Sequence, residues 1–173
     1  MSAVPLPEPS RQSALIDVAR RLGSARDLDE LIDHILQRSR EVMDCEVCSI
    51  LLPDGPEGDL LIRSTLDPIK RNVVRVPKGK GIAGEVFVTQ VPVNIRDAQQ
   101  DARHFQPSSD TSGLVTRAML TIPLLGEDRC LGVMQAINPN RCQSFGGEDQ
   151  DFFETFASFI SVTLMRLEAQ KKE

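Results

Sequence analysis

Two runs late in the chain constrain its fold more than any other feature: Ser112-Gly-Leu-Val-Thr-Arg-Ala-Met-Leu-Thr-Ile-Pro-Leu-Leu125 and, beyond a short turn, Cys130-Leu-Gly-Val-Met-Gln-Ala-Ile-Asn138. Each is apolar and short enough for a strand, and the short connection makes them an adjacent antiparallel pair. Small and polar residues interrupt faces that are otherwise apolar. That pattern is expected of a sheet that leaves room for something besides its own core.

The segments around this pair predict an α+β layer. Residues 1–9, with Pro5, Pro7, Glu8 and Pro9, read as a disordered tail, and residues 10–173 as one domain. Leu15, Val18 and Leu22 form a stripe on a first helix that Gly23 stops. A second helix begins at Asp27, with Glu30 at capping-box spacing, and carries Leu28, Leu31, Ile32, Ile35, Leu36, Val42 and Met43 in helical period. Strands follow over 45–52, 59–65 and 72–76, then a glycine-rich turn, Lys78-Gly-Lys-Gly-Ile-Ala-Gly-Glu-Val-Phe87, that opens a short helix. Residues 92–95 are extended, 97–105 form a short helix and 106–111 a polar loop. After the strand pair, a long helix runs from about Asp149 to Gln170.

That last helix is apolar on more than one face. Phe153, Phe156, Ile160, Leu164 and Leu167 form one stripe, and Phe152, Phe159 and Val162 widen it. Two solutions fit the periodicity equally: a homodimeric bundle with the first helix, or one broad core face within the monomer.

Composition narrows the function classes. A formal net charge of -5 argues against broad nucleic-acid binding, which needs a basic field. No apolar run reaches transmembrane length, and the N-terminus lacks the order of a signal peptide, so the expected setting is the cytoplasm, with neither membrane nor nucleic acid as partner. Among the four cysteines, Cys45 and Cys48 have the spacing of a zinc or redox half-site, but no second half completes it. Residues three apart on a strand also point to opposite faces. The expectation is buried, reduced thiols and no metal. His34 and His104 belong to no recognisable triad, so no catalytic residues are assigned. The Lys78–Phe87 segment fails the order of a triphosphate-binding loop, although the free N–H groups of its helix start can still hold an anion.

Five ordered motifs carry a resemblance. Cys48-Ser-Ile-Leu-Leu, Gly79-Lys-Gly-Ile-Ala-Gly, Val93-Asn-Ile-Arg-Asp-Ala98, Asp110-Thr-Ser-Gly-Leu-Val-Thr-Arg-Ala-Met-Leu120 and Leu131-Gly-Val-Met-Gln-Ala-Ile-Asn138 together resemble a GAF domain over roughly residues 25–170. The resemblance implies a GAF-like, PAS-related antiparallel sheet, with long helices on one face and short helices and loops forming a ligand pocket on the other. The wording is most similar to the regulatory GAF domains of cyclic-nucleotide phosphodiesterases and adenylyl cyclases, which bind cAMP or cGMP. On that resemblance Ser49, Asp67, Ser112, Thr116 and Gln135 would supply polar contacts. Ile82 and Ala83 would offer backbone groups, and Phe105 would stack on the base. Such a set suits a purine in a mostly apolar pocket. Ser49 and Thr116 can equally satisfy neighbouring backbone, and Phe105 can plug the core.

One departure stands out. The nucleotide-binding pattern is Asn-Lys, a spacer, Phe, three residues, Asp-Glu, whereas this chain reads Asn138-Pro139, a spacer, Phe145, then Asp149-Gln150. Arg141 is the cation near enough to replace the missing lysine and close the pocket against Asp149.

The resemblance therefore implies a non-catalytic sensory domain with no resident cofactor beyond a bound cAMP or cGMP. Its partners are that ligand and a second copy of the chain through the terminal helices, and it passes a signal to an attached output domain. A ligand-free dimerisation platform is the alternative. A free-standing enzyme resembling the methionine-sulfoxide reductases is a further one, with Cys130 as its only candidate thiol. Haem and bilin are disfavoured because no Cys-His pair is present.

Overall fold

Local signals set most of the elements. The structure, a computed structural model, describes residues 8–24, 27–55, 58–65, 74–100 and 115–171. Helix α1 (Glu8–Ser24) begins two residues earlier than the sequence suggests, because Pro9 sits in the first turn, where a missing N–H costs nothing. Gly23 lies inside its last turn. Helix α2 (Leu28–Met43) is capped by Asp27, whose carboxylate accepts the Asp29 N–H at 2.9 Å. It ends at Asp44, which takes the left-handed conformation at φ 50.

The chain then builds β1 (Cys45–Asp54), β2 (Asp59–Ser64) and β3 (Val74–Val76), helix α3 (Gly81–Thr89), β4 (Val93–Ile95) and a single 3-10 turn at Ala98–Gln100. Strands β5 (Met119–Leu125) and β6 (Cys130–Pro139) and helix α4 (Gly147–Lys171) complete it. Of the helix expected over 97–105, Ala98–Gln100 form a 3-10 turn and 101–105 lie outside the described residues. The first strand of the late pair starts at Met119; residues 115–118 are irregular, and 112–114 lie outside the described residues.

All six strands join one antiparallel sheet in the order β3-β2-β1-β6-β5-β4. The first strand and the last therefore lie side by side at its centre. Alternation along the strands sends two sets of side chains to opposite faces. Ile50, Leu120, Ile122, Leu124, Met134 and Ala136 meet α1, α2 and α4 in the larger core. Val47, Leu51, Met119, Val133 and Ile137 meet Ile82, Ala83 and Val86 of α3 in the smaller one.

The broad apolar surface of α4 is largely consumed within the chain. Phe153, Phe156, Ile160 and Leu164 are buried against the sheet and its neighbouring helices, and Phe152 and Phe159 pack at the edge of the same core. Val162 on α4 and Ile16 on α1 stay exposed, at 61% and 54%. Asp149 accepts the Gly146 N–H at 2.8 Å, the return half of a capping box at the start of α4.

One expectation is corrected here. Cys45 and Cys48 do not diverge: both belong to the larger core, with their sulfurs 3.6 Å apart. Period-2 alternation holds inside a strand, but Cys45 is the terminal residue of β1, immediately after left-handed Asp44. Its side chain turns into the helical layer.

Candidate functional site

Among the described side chains, the face beneath α3 is apolar except for a row of polar groups across three strands. In the ladder, Ser49 of β1 lies directly opposite Gln135 of β6, and Thr121 of β5 lies opposite the same glutamine. Alternation places all three on the α3 side, flanked by Val47, Leu51, Val133, Ile137 and Met119. All three are buried. Gln135 Nε2 donates to Thr121 Oγ1 at 3.2 Å and to Met119 Sδ at 3.4 Å. Among the described residues, the floor of the site is therefore neutral, buried and hydrogen-bonding.

Helix α3 forms the opposite wall, and its glycine turn shapes the approach. Gly79 and Gly81 both have positive φ, at 75 and 66, which other residues adopt only with strain. Gly84 packs onto that turn so tightly that a Cβ would lie 2.7 Å from the Gly79 carbonyl carbon. The Gly84 N–H is the one that reaches Lys80 C=O, at 3.1 Å, so the Gly81, Ile82 and Ala83 N–H groups precede the helical ladder. Lys80, the N-cap, makes no side-chain cap bond. Ile82 and Ala83 belong to the smaller core and lie in the first turn of α3, where backbone N–H groups precede the helical ladder.

The third wall begins at the irregular segment 115–118, which contains buried Thr116. Asn138 holds that segment in place. Its Oδ1 accepts the Arg117 N–H at 2.7 Å and the Ala118 N–H at 3.1 Å. Its Nδ2 donates to Val115 C=O at 2.8 Å and to Glu46 Oε2 at 2.9 Å. The φ of 59 at Asn138 is one that asparagine tolerates better than most residues. Arg117 in turn donates to the carbonyls of Pro139, Cys142 and Gln143 at 2.8, 3.3 and 2.6 Å, fixing the bend after β6.

Of the residues proposed from sequence, Ser49, Ile82, Ala83 and Gln135 converge on this face, and Thr116 lies on the segment that Asn138 secures. Asp67, Phe105 and Ser112 lie outside the described residues. The closing pair does not form. Arg141 bonds Asp44 through Nε at 3.0 Å, while Asp149 bonds Arg11 of α1 at 2.6 Å. The ladder explains it: Cys45 pairs with Pro139, so the bend after β6 lands beside Asp44, and Asn140 bonds Asp44 as well. Sequence reasoning missed Thr121, Met119 and the Asn138 clasp. Thr121 alone had a visible signal, as a polar residue in an apolar strand run.

The thiols offer little nucleophilic chemistry. Burial pushes Cys48 well up, helped by the Cys45 hydrogen bond and charge and opposed by Arg40. Burial also pushes Cys130 up, against hydrogen bonds from the Gly132 and Leu124 backbone. Both stay protonated at neutral pH, and the thiolate is the reactive form. No cluster of three or more potential metal ligands occurs among the described residues. No helix among them is long and apolar enough to cross a membrane.

Comparison with known proteins agrees with this fold. The Drosophila melanogaster dual 3',5'-cyclic-AMP and -GMP phosphodiesterase 11 is 27% identical over 174 residues, covering 91% of this chain and 12% of the relative. The Caenorhabditis elegans probable 3',5'-cyclic phosphodiesterase pde-5 is 28% identical over 162 residues, covering 87% and 22%. The chain thus spans less than a quarter of either relative. The GAF domain of a Coxiella burnetii phosphoenolpyruvate-protein phosphotransferase superposes with a TM-score of 0.83 at 17% identity, covering 97% of this chain and 100% of that one. The free methionine-R-sulfoxide reductase of Neisseria meningitidis superposes with a TM-score of 0.75 at 17% identity, covering 94% and 93%. At these identities the superpositions establish the fold alone. The sequence profile of the GAF domain family matches residues 27–164, and the chain belongs to that family.

Proposed function

We propose that this chain is a non-catalytic sensory domain that binds cAMP or cGMP between the α3 turn and the sheet. The observation that carries the reading is the buried polar row Ser49–Gln135–Thr121 on an otherwise apolar face. A core that needed only stability would gain more from apolar side chains there, because each buried polar group must be compensated. The purine base suits the neutral floor, and the cyclic phosphate suits the N–H groups at the start of α3. The named relatives that match the chain at modest identity are cyclic-nucleotide phosphodiesterases, which supports the ligand class.

The signal leaves through α1 and α4, joined by the Arg11–Asp149 ion pair and by Arg11 lying 5.0 Å over the Phe152 ring. In this reading two copies pair through these helices, in the cytoplasm, and bias an attached output domain. A ligand does so only by preferring one helix arrangement over another. Titration calorimetry with cAMP and with cGMP is the test: saturable binding to the isolated chain supports the reading, and no heat at millimolar nucleotide refutes it.

The fold neighbour that reduces methionine sulfoxide motivates a second reading, an enzyme using Cys130. Consumption of free methionine-R-sulfoxide with dithiothreitol as reductant, abolished by Cys130→Ser, would support it. The buried, protonated thiol of Cys130 argues against it.

A further inference from the structure

We propose that Cys45 and Cys48 form a two-coordinate site for a soft monovalent cation, Cu(I), inside the larger core. The pair lies on the opposite face of the sheet from the α3 site, so the inference stands whether or not that site takes a nucleotide.

The geometry turns two soft donors onto one point. The sulfurs are 3.6 Å apart, and Cys45 spends its own S–H on the Val47 carbonyl, 3.4 Å away. The proton between the two sulfurs is therefore that of Cys48, aimed at a lone pair of Cys45. A soft cation that replaces this proton finds both sulfurs already facing it. Metal–thiolate bonds of about 2.3 Å let one ion bridge sulfurs up to about 4.6 Å apart, so the pair has to part by no more than about 1 Å.

The same strand disfavours a disulfide. Cys45 pairs with Pro139 and Cys48 with Ala136, three ladder steps apart. At about 3 Å per step in a twisted strand, the Cα atoms are roughly 9 Å apart, beyond the limit of about 7 Å for bridging. Closing an S–S bond would buckle the centre of the sheet, whereas an ion between the sulfurs asks only for a side-chain adjustment.

Ligand count selects the cation. Among the described residues no third His, Cys, Asp or Glu joins the two thiols. Structural zinc takes four ligands, whereas soft thiolates select Cu(I), whose filled d shell is satisfied by two of them in line. Binding forms two Cu–S bonds, breaks two S–H bonds and releases both protons to water, with no electron transferred. The bound centre keeps one negative charge, and the Arg40 charge acts on Cys48 in the sense that stabilises it. Entry is short, because Cys45 is the first residue of β1 and its neighbour Glu46 is exposed.

The probe is Cu(I) itself, offered without oxygen to the reduced whole chain as its ferrozine complex and then as its bathocuproine disulfonate complex. Loss of the chelator's colour is expected to saturate at one copper per chain, and copper X-ray absorption should show two sulfur neighbours and no others. Cys45→Ser and Cys48→Ser should each weaken binding at least roughly 100-fold, while Cys142→Ser should leave it unchanged. Circular dichroism of each variant separates a lost ligand from a lost fold, and the absorption spectrum of the unsubstituted chain needs no variant. Copper left wholly with ferrozine, a third or fourth neighbour in the absorption spectrum, or binding that survives in a folded Cys45→Ser chain overturns the inference.

Discussion

Replacing Asn138 is the sharpest test of how the site is built, because one side chain holds the segment leading into β5. Its amide makes four hydrogen bonds, to the Arg117 and Ala118 N–H groups, the Val115 carbonyl and the Glu46 carboxylate. The Ala118 N–H is buried, and stranding it costs about 2 kcal/mol. The other three partners lie where water can replace the amide, so losing each costs about 0.5 kcal/mol. Asn138→Gly should therefore destabilise the domain by about 3.5 kcal/mol. Asn138→Ala adds the cost of a Cβ in the left-handed region, about 1 kcal/mol more, because φ is 59 here.

Against a total stability of about 5–15 kcal/mol, alanine leaves a domain close to unfolding. Equilibrium unfolding in urea reads the effect directly. With a slope of about 2 kcal/mol per molar, the midpoint should fall by about 2 M for alanine and by somewhat less for glycine. A shift below about 0.5 M for alanine, or glycine and alanine behaving alike, would refute both the clasp and the strain at this residue.

Three other outcomes follow from the same geometry. Gly84→Ala forces a Cβ to within 2.7 Å of the Gly79 backbone, so it should cost about 1–3 kcal/mol and disturb the turn that precedes the Ile82 and Ala83 N–H groups; thermal unfolding and nucleotide calorimetry measure the two effects. Burial raises Cys48 above its unfolded value, so its contribution to stability is complete below the unfolded thiol pKa, about 8.5, and is lost as pH rises from there towards the folded value. Urea unfolding between pH 8 and 10 should show stability declining, and Cys48→Ala, though less stable, should decline less steeply; an unchanged slope would remove Cys48 as the cause. Arg11→Met keeps much of the packing over Phe152 but loses the charge on Asp149, so amide exchange should quicken in the first turns of α1, with a loss of about 1 kcal/mol that shrinks in high salt.

The correction at Arg141 shows where reading along the chain stops. Its nearness to Asp149 in sequence suggested a pair across the pocket, yet a partner far away in sequence, Asp44, takes it. Asp149 reaches back across the molecule to Arg11. Cys45 and Cys48 teach the same lesson at short range, because strand periodicity says nothing about a terminal residue that follows a left-handed turn.

What the amino-acid order determined by itself is whatever rests on local physics. Helical period, strand alternation, the Asp27 cap and the glycine turn before α3 established the element order, the α+β layering and Ser49 and Gln135 as polar residues within apolar strands. Those signals need only backbone geometry and the hydrophobic effect. Tertiary structure decided everything that depends on which strands become neighbours. Placing β1 beside β6, and β6 beside β5, put Ser49, Gln135 and Thr121 in one row. It brought Asp44 to Arg141 and let Asn138 reach back to residues 115–118. Hydrogen bonds and ion pairs act over a few ångströms, so their partners exist only once the sheet has chosen its order.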